Sequence, residues 1–440
     1  MFLLSILLIV LISIPVQPKI DTTYIVLDSN KPFEKQVVYN NASYVIKDSY
    51  MINKSFRLPK NCTLIFQGGK ITGSGVLEGN TTYIEASPTK IFGDDLSVAG
   101  SWTMKNAYCE WFGGHVANDD NAIPFQKCID AFNILTLNVG VYKIKRTINV
   151  TNDGCIISGV SRNHTEIQKL SPSKESINAI FNISNTRSKN IQYVTLRDLR
   201  LSSAGCNVDY GIYSDGINSS EFRNLTIFQC KNGFCCNNET HGSLWNLIFD
   251  NIEFNSNTIR EFEGINNYGY PEQTTCALTC VTNGGAGLSF NHCWARDCAV
   301  GYHIKGVNYS IMDGCGADNI HGIAYLLEYS GISLTSCGME KVTTNSSIVL
   351  YHCNATITGF NDYKQIVKND KETYRVKIDG GIITLINCHF SDWINKVKNS
   401  NIYGVTSNNG SKVLLINTKQ PNHINNYMAL KKGATFQIIE

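Results

Sequence analysis

The chain has 440 residues, a formal net charge of +2 and only 17% charged residues, so it is long enough to bury a large core. The near-neutral balance gives no reason to expect a nucleic-acid partner, which would call for clustered positive charge. The 48 Asn and 35 Gly, against only 9 Pro, indicate a β protein with many tight turns, because Asn and Gly tolerate left-handed backbone.

The first 18 residues contain an apolar run at residues 2–16. It is shorter than the roughly 20 residues that a membrane-spanning helix needs, but typical of the core of a secretion signal. We therefore expect residues 1–18 to be a signal peptide, with an uncleaved hydrophobic anchor as the alternative.

Residues 19–112 are predicted to form an N-terminal cap and the first coils of a strand-rich domain. The stretch CTLIFQGGKITGSGVLEGN, which begins at Cys62, gives short apolar bursts separated by Gly-rich turns. A cap is expected because the open end of a stack of coils exposes unpaired strand edges.

One short amphipathic helix is predicted near the start of residues 113–390. Its apolar positions follow helical spacing, and Asp119 or Asp120 stands in the N-cap position before them. The apolar positions are Ala122, Ile123, Phe125, Cys128, Ile129 and Phe132.

Several motifs around this helix resemble the opening of pectate-lyase-superfamily proteins. They are a Trp-Phe-Gly turn at residues 111–113, the Asp-Asp pair, the Ala-Ile-rich helix, and Gly-x-Tyr-x-Ile at 140–144 followed by a Thr-Ile strand. Later coils extend the resemblance over roughly residues 56–360. It implies a right-handed parallel β-helix, as in polygalacturonase-like hydrolases, polysaccharide lyases and phage tailspikes.

The fold class predicted is therefore all-β: a single-stranded right-handed parallel β-helix, or pectin-lyase-like solenoid, with a short N-terminal α-helix as a cap. The main β-helix is expected at residues 113–390 and the C-terminal coils and cap at 391–440. The signatures of polygalacturonase-type hydrolases do not occur in order, so the resemblance specifies the fold better than the reaction.

Three phrases between residues 287 and 340 repeat with a period of 22, each with a short apolar run before a cysteine. The cysteines are Cys293, Cys315 and Cys337. Such a period with short apolar runs predicts a solenoid of short strands, in which residues one period apart stack about 4.8 Å apart. We expect these cysteines to form a buried column of small apolar side chains rather than zinc ligands or disulfides.

The same period places Arg296, Asp318 and Glu340 in a second column, with Asp297 beside it. Two stacked carboxylates can raise one another's pKa, and retaining glycosidases hold their carboxyl groups about 5–5.5 Å apart. We therefore predict Asp318, Glu340 and Asp297 as catalytic residues. The alternative is a solvent-exposed ladder in which Arg296 screens Asp318.

Residues 255–286 break the rhythm of the strands and are too long for a plain turn, so they are predicted to project and form one wall of a groove. Tyr268 and Tyr270 in this excursion, with Trp294 and Arg296, are predicted to bind the substrate. Core packing accounts for an isolated Trp equally well.

No metal is predicted as a catalytic requirement, and Ca²⁺ is the one cofactor the sequence allows. Asp209, Asp215 and Glu221 lie close together in the chain and could supply carboxylate ligands to Ca²⁺. Asp beside Gly also occurs simply because it forms turns, which is the alternative explanation.

Two classes of function follow. The first is a secreted or cell-surface enzyme, a hydrolase or lyase, that acts on a polysaccharide in a shallow groove. The second is a non-catalytic glycan-binding or tailspike-like adhesion protein, located in a virion and assembled as a homotrimer. In both classes the partner is a polysaccharide or a cell-surface glycan.

Overall fold

The computed structural model describes residues 24–172, 175–185, 190–203, 208–238, 244–256, 275–343, 346–363, 365–366, 373–390, 394–395, 402–408, 410–418, 426–430 and 434–439. The predicted signal peptide at residues 1–18 lies outside the described residues, as do Tyr268 and Tyr270. Within these ranges no helix is long and apolar enough to cross a membrane.

The chain divides into two compact units, of which the first comprises residues 1–87 and 95–103. In this unit every strand pairs in parallel with the strand of the next coil, and Tyr44, Leu64 and Ile84 occupy equivalent buried positions on successive coils. Its elements are a one-turn helix at Phe33–Gln36 and strands at Tyr24–Val26, Ser43–Ile46, Ser49–Met51, Ser55–Arg57, Thr63–Phe66, Lys70–Thr72, Val76–Glu85 and Ser97–Trp102.

The second unit comprises residues 88–94 and 104–440 and begins with a 3₁₀ turn at Cys109–Phe112 and a helix at Ala122–Phe132. The helix confirms the prediction in type and position. Its N-cap is Asn121 rather than either aspartate, but the Asp120 carboxylate accepts the backbone N–H of Ala122 at 3.0 Å. The N-cap residue is therefore Asn121, one residue after the predicted Asp120. The helix ends at Asn133, which adopts a left-handed φ of 58°.

After the helix the unit consists of short strands, and each coil pairs in parallel with the next. Its strands run Ile134–Thr136, Gly140–Ile144, Ile148–Val150, Ile156–Ser158, Thr165–Lys169, Ala179–Ile183, Ile191–Gln192, Thr195–Ser203, Tyr210–Ser214, Ile217–Asn218, Glu221–Phe228, Asn232–Asn238, Ile248–Asn255, Cys276–Ala286, Ser289–Asn291, Trp294–Arg296, Val300–Asn308, Ser310–Asp313, Gly316–Asp318, Ile323–Glu328, Gly331–Thr335, Gly338–Glu340, Val342–Thr343, Ser346–Thr358, Asn361–Asp362, Gln365–Ile366, Thr373–Ile386, His389–Phe390, Ile394–Asn395, Ile402–Asn408, Lys412–Ile416, Asn426–Leu430 and Thr435–Ile439.

This architecture confirms the predicted fold class, a right-handed parallel β-helix. The prediction that residues 255–286 project from the coils is wrong in its second part, because Cys276–Ala286 is a strand of the coils, with one register shift between Val281 and Gly285. Leu278 in that strand lies in register with Phe234 on the preceding coil and with Tyr302 on the following one. The coil between residues 234 and 278 is longer than 22 residues, so the 22-residue period did not predict this strand.

Side chains of one kind stack along the interior of the coils. The phenyl ring of Phe249 lies parallel to those of Phe222 and Phe290, with ring centroids 5.4 and 4.9 Å away. Cys293, Cys315 and Cys337 are buried and unpaired, as predicted, and donate to backbone carbonyls of earlier coils. The cysteines therefore fill the core and do not form a disulfide framework among the described residues.

Candidate functional site

The predicted charged column is present. Asp318 lies in register with Arg296 on the preceding strand and with Glu340 on the following one. Because adjacent strands in a sheet are about 4.8 Å apart, the two carboxylates are neighbours on one outward face of the coils.

A second column beside it forms a trough with a bare floor. Trp294, Gly316, Gly338 and Asn361 occupy equivalent positions on four successive strands. The indole of Trp294 leans over Gly316, so the gap before the side chain of Asn361 is at Gly338, and a cavity of about 210 Å³ lies along these residues. Gly316 and Gly338, bordered by Trp294 and Asn361, are called the glycine trough below.

The indole of Trp294 is a platform at one end of the glycine trough. A Cβ atom added to Gly316 would lie 2.8 Å from two carbon atoms of the indole, so the ring lies directly over this glycine. The side chain is still 46% exposed. Trp294 and Arg296 also line a second cavity of about 250 Å³, whose other walls include Arg162, Glu253 and His292. Trp294 therefore separates two cavities on one face.

Arg296 connects carboxylates of two neighbouring coils. Its Nη2 lies 3.2 Å from Oδ2 of Asp318, and its Nη1 lies 3.5 Å from Oε1 of Glu253. Burial lowers the pKa of the Arg296 guanidinium, but the hydrogen bond and charge of Asp318, with the charge of Glu253, raise it overall. Arg296 is therefore a fixed cation beside the trough, as the alternative interpretation of the column required.

The two carboxylates of the column differ in their surroundings. The Asp318 side chain is only 15% exposed, lines the 210 Å³ cavity, and has a buried Oδ1 without a hydrogen-bond partner among the described residues. Glu340 also lines the cavity, is 46% exposed and lies 3.3 Å from Nζ of Lys341. An unsatisfied buried carboxylate oxygen costs free energy in the folded protein.

The structure separates Asp297 from the other predicted catalytic residues. Asp297 adopts a left-handed φ of 52° in the turn after its strand, and its carboxylate accepts a hydrogen bond from the amide of Asn319 at the next turn. It is not among the residues that line the 210 Å³ cavity. Its position is that of a turn residue.

The sequence did not reveal two further residues of the site, Asn361 and Tyr363. Both line the cavity, and Tyr363 is 64% exposed. Gly338 is in register with Asn361 and Met339 with Asp362, so the next position on each strand pairs Glu340 with Tyr363. Tyr363 therefore continues the column of Asp318 and Glu340. The repeat would have predicted Tyr363 if the spacing after Glu340 had been taken as one residue longer than the period.

A ladder of turn residues changes composition at these coils. Asn251 donates its side-chain amide to Asn224 at 2.9 Å, and Asn224 donates to Asp198 at 3.0 Å, all three with left-handed φ. Farther along the same turn, Asn417 donates to Asn387 at 2.9 Å. Between the two ladders the equivalent turn positions are His292, Gly314, Ser336 and Gly359, each with a left-handed φ. The ladder of Asn side chains is thus replaced at the coils that carry the trough.

The acidic residues considered for Ca²⁺ are engaged elsewhere. Asp209 pairs with Nζ of Lys231 at 2.6 Å and accepts the amide of Asn178, and Glu221 pairs with Arg223. In the described ranges no three His, Cys, Asp or Glu side chains are grouped as a metal site would require.

Comparisons with known proteins identify the fold. No family model matches the chain, and no curated protein does. Among solved structures it is similar to the gp42 tailspike of Acinetobacter phage vb_AbaP_AS12, with 12% identity and a TM-score of 0.55 over 77% of this chain and 63% of the tailspike. The chain thus spans less than two thirds of that tailspike.

Two enzymes are similar at lower TM-scores. The mannuronan C-5 epimerase AlgE4 A-module of Azotobacter vinelandii has 12% identity and a TM-score of 0.41, over 75% of this chain and 97% of that module. The catalytic domain of a GH87 α-1,3-glucanase has 9% identity and a TM-score of 0.45, over 76% of this chain and 68% of that domain. At such identities the likeness is one of fold, and the chain has the right-handed parallel β-helix fold that the pectate-lyase resemblance implied.

Proposed function

We propose that the chain binds a polysaccharide in the glycine trough and cleaves it there, as a hydrolase or a lyase that uses Asp318 and Glu340. The observation that carries this proposal is the pair of carboxylates in register beside a floor without side chains and an exposed indole. Aromatic rings present a negative π face, which attracts the apolar, C–H-bearing face of a sugar ring.

In this proposal the two carboxylates take different roles. In a retaining hydrolase one carboxylate attacks the anomeric carbon and the other protonates the leaving oxygen, and the two groups are about 5–5.5 Å apart. Arg296 holds the Asp318 carboxylate in an ion pair at 3.2 Å, and in this proposal Asp318 is the nucleophile. Glu340, in register with Asp318 on the next coil, is the general acid in this proposal.

The remaining residues of the site take supporting roles or none in this proposal. Trp294 and Tyr363 provide rings on which sugars stack, and Arg296 orients Asp318 as well as the substrate. Asp297 is left out because its carboxylate is bound to Asn319 in a turn.

A second candidate function is binding without cleavage, as in a tailspike-like adhesion protein. It is favoured by the ion pairs of both carboxylates, Asp318 with Arg296 and Glu340 with Lys341, because a paired carboxylate is less available for chemistry. One similar structure, with a TM-score of 0.55, is itself named a tailspike. A homotrimer and a location in a virion belong to this candidate, whereas secretion to the medium or cell surface belongs to the first.

The test is incubation of the purified protein with a panel of plant and bacterial polysaccharides. Asp318→Asn and Glu340→Gln should abolish chain shortening, while Asp313→Asn, on the same coil but outside the cavity lining, should not. Ultraviolet absorbance from a new carbon–carbon double bond would identify elimination rather than hydrolysis.

The outcomes separate the candidates. Binding without shortening by the unmodified protein supports the adhesion protein, and activity that persists in both carboxylate variants refutes the proposed site. Sedimentation equilibrium tests the trimer, since a mass of 48.9 kDa, that of one chain, would contradict it.

A further inference from the structure

A stack of aromatic rings lies at a different turn of the coils from the glycine trough. Tyr329 and His352 occupy equivalent turn positions on successive coils, because the neighbouring pair Glu328 and Tyr351 is in register. Their rings are nearly parallel, with an angle of 11° and centroids 5.5 Å apart. Tyr351 stands perpendicular to both, with centroids 5.1 Å from Tyr329 and 4.5 Å from His352. These three residues are called the turn stack.

The backbone at the turn stack has a conformation that such residues seldom adopt. Tyr329 has a φ of 47° and His352 a φ of 49°. For a bulky side chain a left-handed φ is unusual, whereas Gly and Asn adopt it readily. The same conformation recurs at turn positions along the coils, among them Tyr193 and Tyr309, so it belongs to these turns in general and lets a bulky ring stand at them. The equivalent positions on the flanking coils are Gly306, with a φ of 73°, and Gly380, with a φ of 79°.

The two flanking glycines leave the stack open at one end. The imidazole of His352 covers Gly380, since a Cβ atom there would lie 2.4 Å from Nδ1. At the other end Tyr329 remains 51% exposed, and a Cβ atom on Gly306 would meet the backbone carbonyl of Thr282 rather than the Tyr329 ring. Tyr309, three residues after Gly306, is 91% exposed. A flat ligand that stacks on Tyr329 would therefore lie above Gly306 with a second ring nearby in the chain.

Polar groups surround the stack. Asn308 follows the turn residue Gly306 by two positions, Asn354 follows His352 by two, and both are exposed. Lys305 and Glu328 directly precede the turn residues of their own coils. The hydroxyl of Tyr329 beside Tyr351 raises the pKa of Tyr351. The surface that a few aromatic rings offer is far smaller than the 1,200–2,000 Å² of surface that a stable protein–protein interface buries. An apolar platform of this size with a polar rim suits a single sugar ring.

We propose that the turn stack is a second saccharide-binding site, which takes a neutral hexose residue with its C–H face on Tyr329 and its hydroxyls toward Asn308 and Asn354. This site goes beyond the proposed function of the glycine trough and does not depend on it. A long polysaccharide could engage both sites of one chain, which would raise its avidity.

The test measures binding of neutral hexasaccharides (cellohexaose, mannohexaose and maltohexaose) by calorimetry and saturation-transfer NMR. A Trp294→Ala protein serves as the background, so that binding in the trough is weakened. In this background Tyr329→Asn should raise the Kd about tenfold, as for removal of a central aromatic contact. It should fold at least as stably, because Asn tolerates the left-handed φ.

Tyr193→Asn is the matched control, since Tyr193 is also a turn residue with a φ of 60° and is 62% exposed. It should leave the Kd unchanged. Tyr329→Phe keeps the ring and should stay within about threefold of the background protein. The proposal is overturned if Tyr329→Asn leaves the Kd unchanged, if none of the three hexasaccharides binds the Trp294→Ala protein, or if Tyr329→Phe loses as much as Tyr329→Asn. Loss of binding together with a lower unfolding temperature in Tyr329→Asn alone would assign the stack a structural role.

Discussion

Replacement of Gly316 by alanine should disturb the Trp294 platform while the rest of the coil stays in place. The new Cβ would lie 2.8 Å from Cδ2 and Cε3 of the indole, whereas carbon atoms in contact prefer about 3.5–4.0 Å. The indole must therefore move by roughly 0.7 Å or more. Gly316 is not among the residues with a left-handed φ, so the backbone accepts alanine and the effect comes from the side chain.

The expected cost in stability is small and the expected cost in binding is larger. Overpacking in a closed core costs about 1–3 kcal/mol. Because Trp294 is 46% exposed and can swing toward solvent, we expect the lower end, about 1 kcal/mol in the free energy of unfolding. If the sugar stacks on the indole, its displacement should weaken polysaccharide binding by about tenfold, which corresponds to about 1.4 kcal/mol.

The assay compares Gly316→Ala with Gly284→Ala by denaturant unfolding and by polysaccharide binding. A Cβ atom on Gly284 meets nothing within 4 Å, and Gly284 has no left-handed φ. This control should bind normally and gain up to about 1 kcal/mol in unfolding free energy through a less flexible unfolded chain. Normal binding by Gly316→Ala would falsify the role of Trp294 as a platform.

Two further predictions concern the stability of the coils. Asp362 and Arg375 form an ion pair with both side chains fully buried, so Asp362→Asn should destabilise the protein by about 3–5 kcal/mol in denaturant unfolding. The double variant Asp362→Leu with Arg375→Met should restore most of this loss, because it leaves no buried charge unpaired. Equal losses in the single and double variants would contradict this. Burial raises the pKa of the thiols of Cys276 and Cys353 to about 11 each, from an ordinary value of 9.0. As pH rises, these thiols lose their protons in the unfolded chain before they lose them in the folded protein. The stability that the two protonated thiols contribute is therefore complete below pH 9, and it should fall by about 1.4 kcal/mol per pH unit and thiol between pH 9 and 11. Cys276→Ala and Cys353→Ala should each reduce this slope of unfolding free energy against pH.

The parts of the site that the sequence predicted are those that depend only on the period of the coils. Arg296, Asp318 and Glu340 are each 22 residues apart, and strands of equal length stack equal positions, so the charged column followed without knowledge of the turns. Asn361 was missed because it follows Gly338 by 23 residues, one more than the period. An extra residue in a turn leaves the strands in register but breaks a search at fixed spacing.

The bare floor of the trough was missed for a different reason. Gly316 and Gly338 are conspicuous in the sequence only as small residues, and glycine in a strand equally indicates a weak or bulged position. That they form a floor follows from Trp294 before them and Asn361 after them in the same column, which only the complete register shows.

The turn beside the trough gives an independent reason to place function on these coils. Asn side chains on successive turns form hydrogen bonds that each contribute about 0.5–1.5 kcal/mol net, as between Asn224 and Asn251 or Asn387 and Asn417. At the intervening turns the chain has His292, Gly314, Ser336 and Gly359, so these coils forgo that stabilisation although the backbone keeps the same left-handed conformation. His292 lines one cavity and Gly314 and Ser336 line the other. An Asn ladder there would add larger side chains at the edge of the 210 Å³ cavity, and the small residues Gly314 and Ser336 keep that edge open beside Trp294, Asp318 and Glu340.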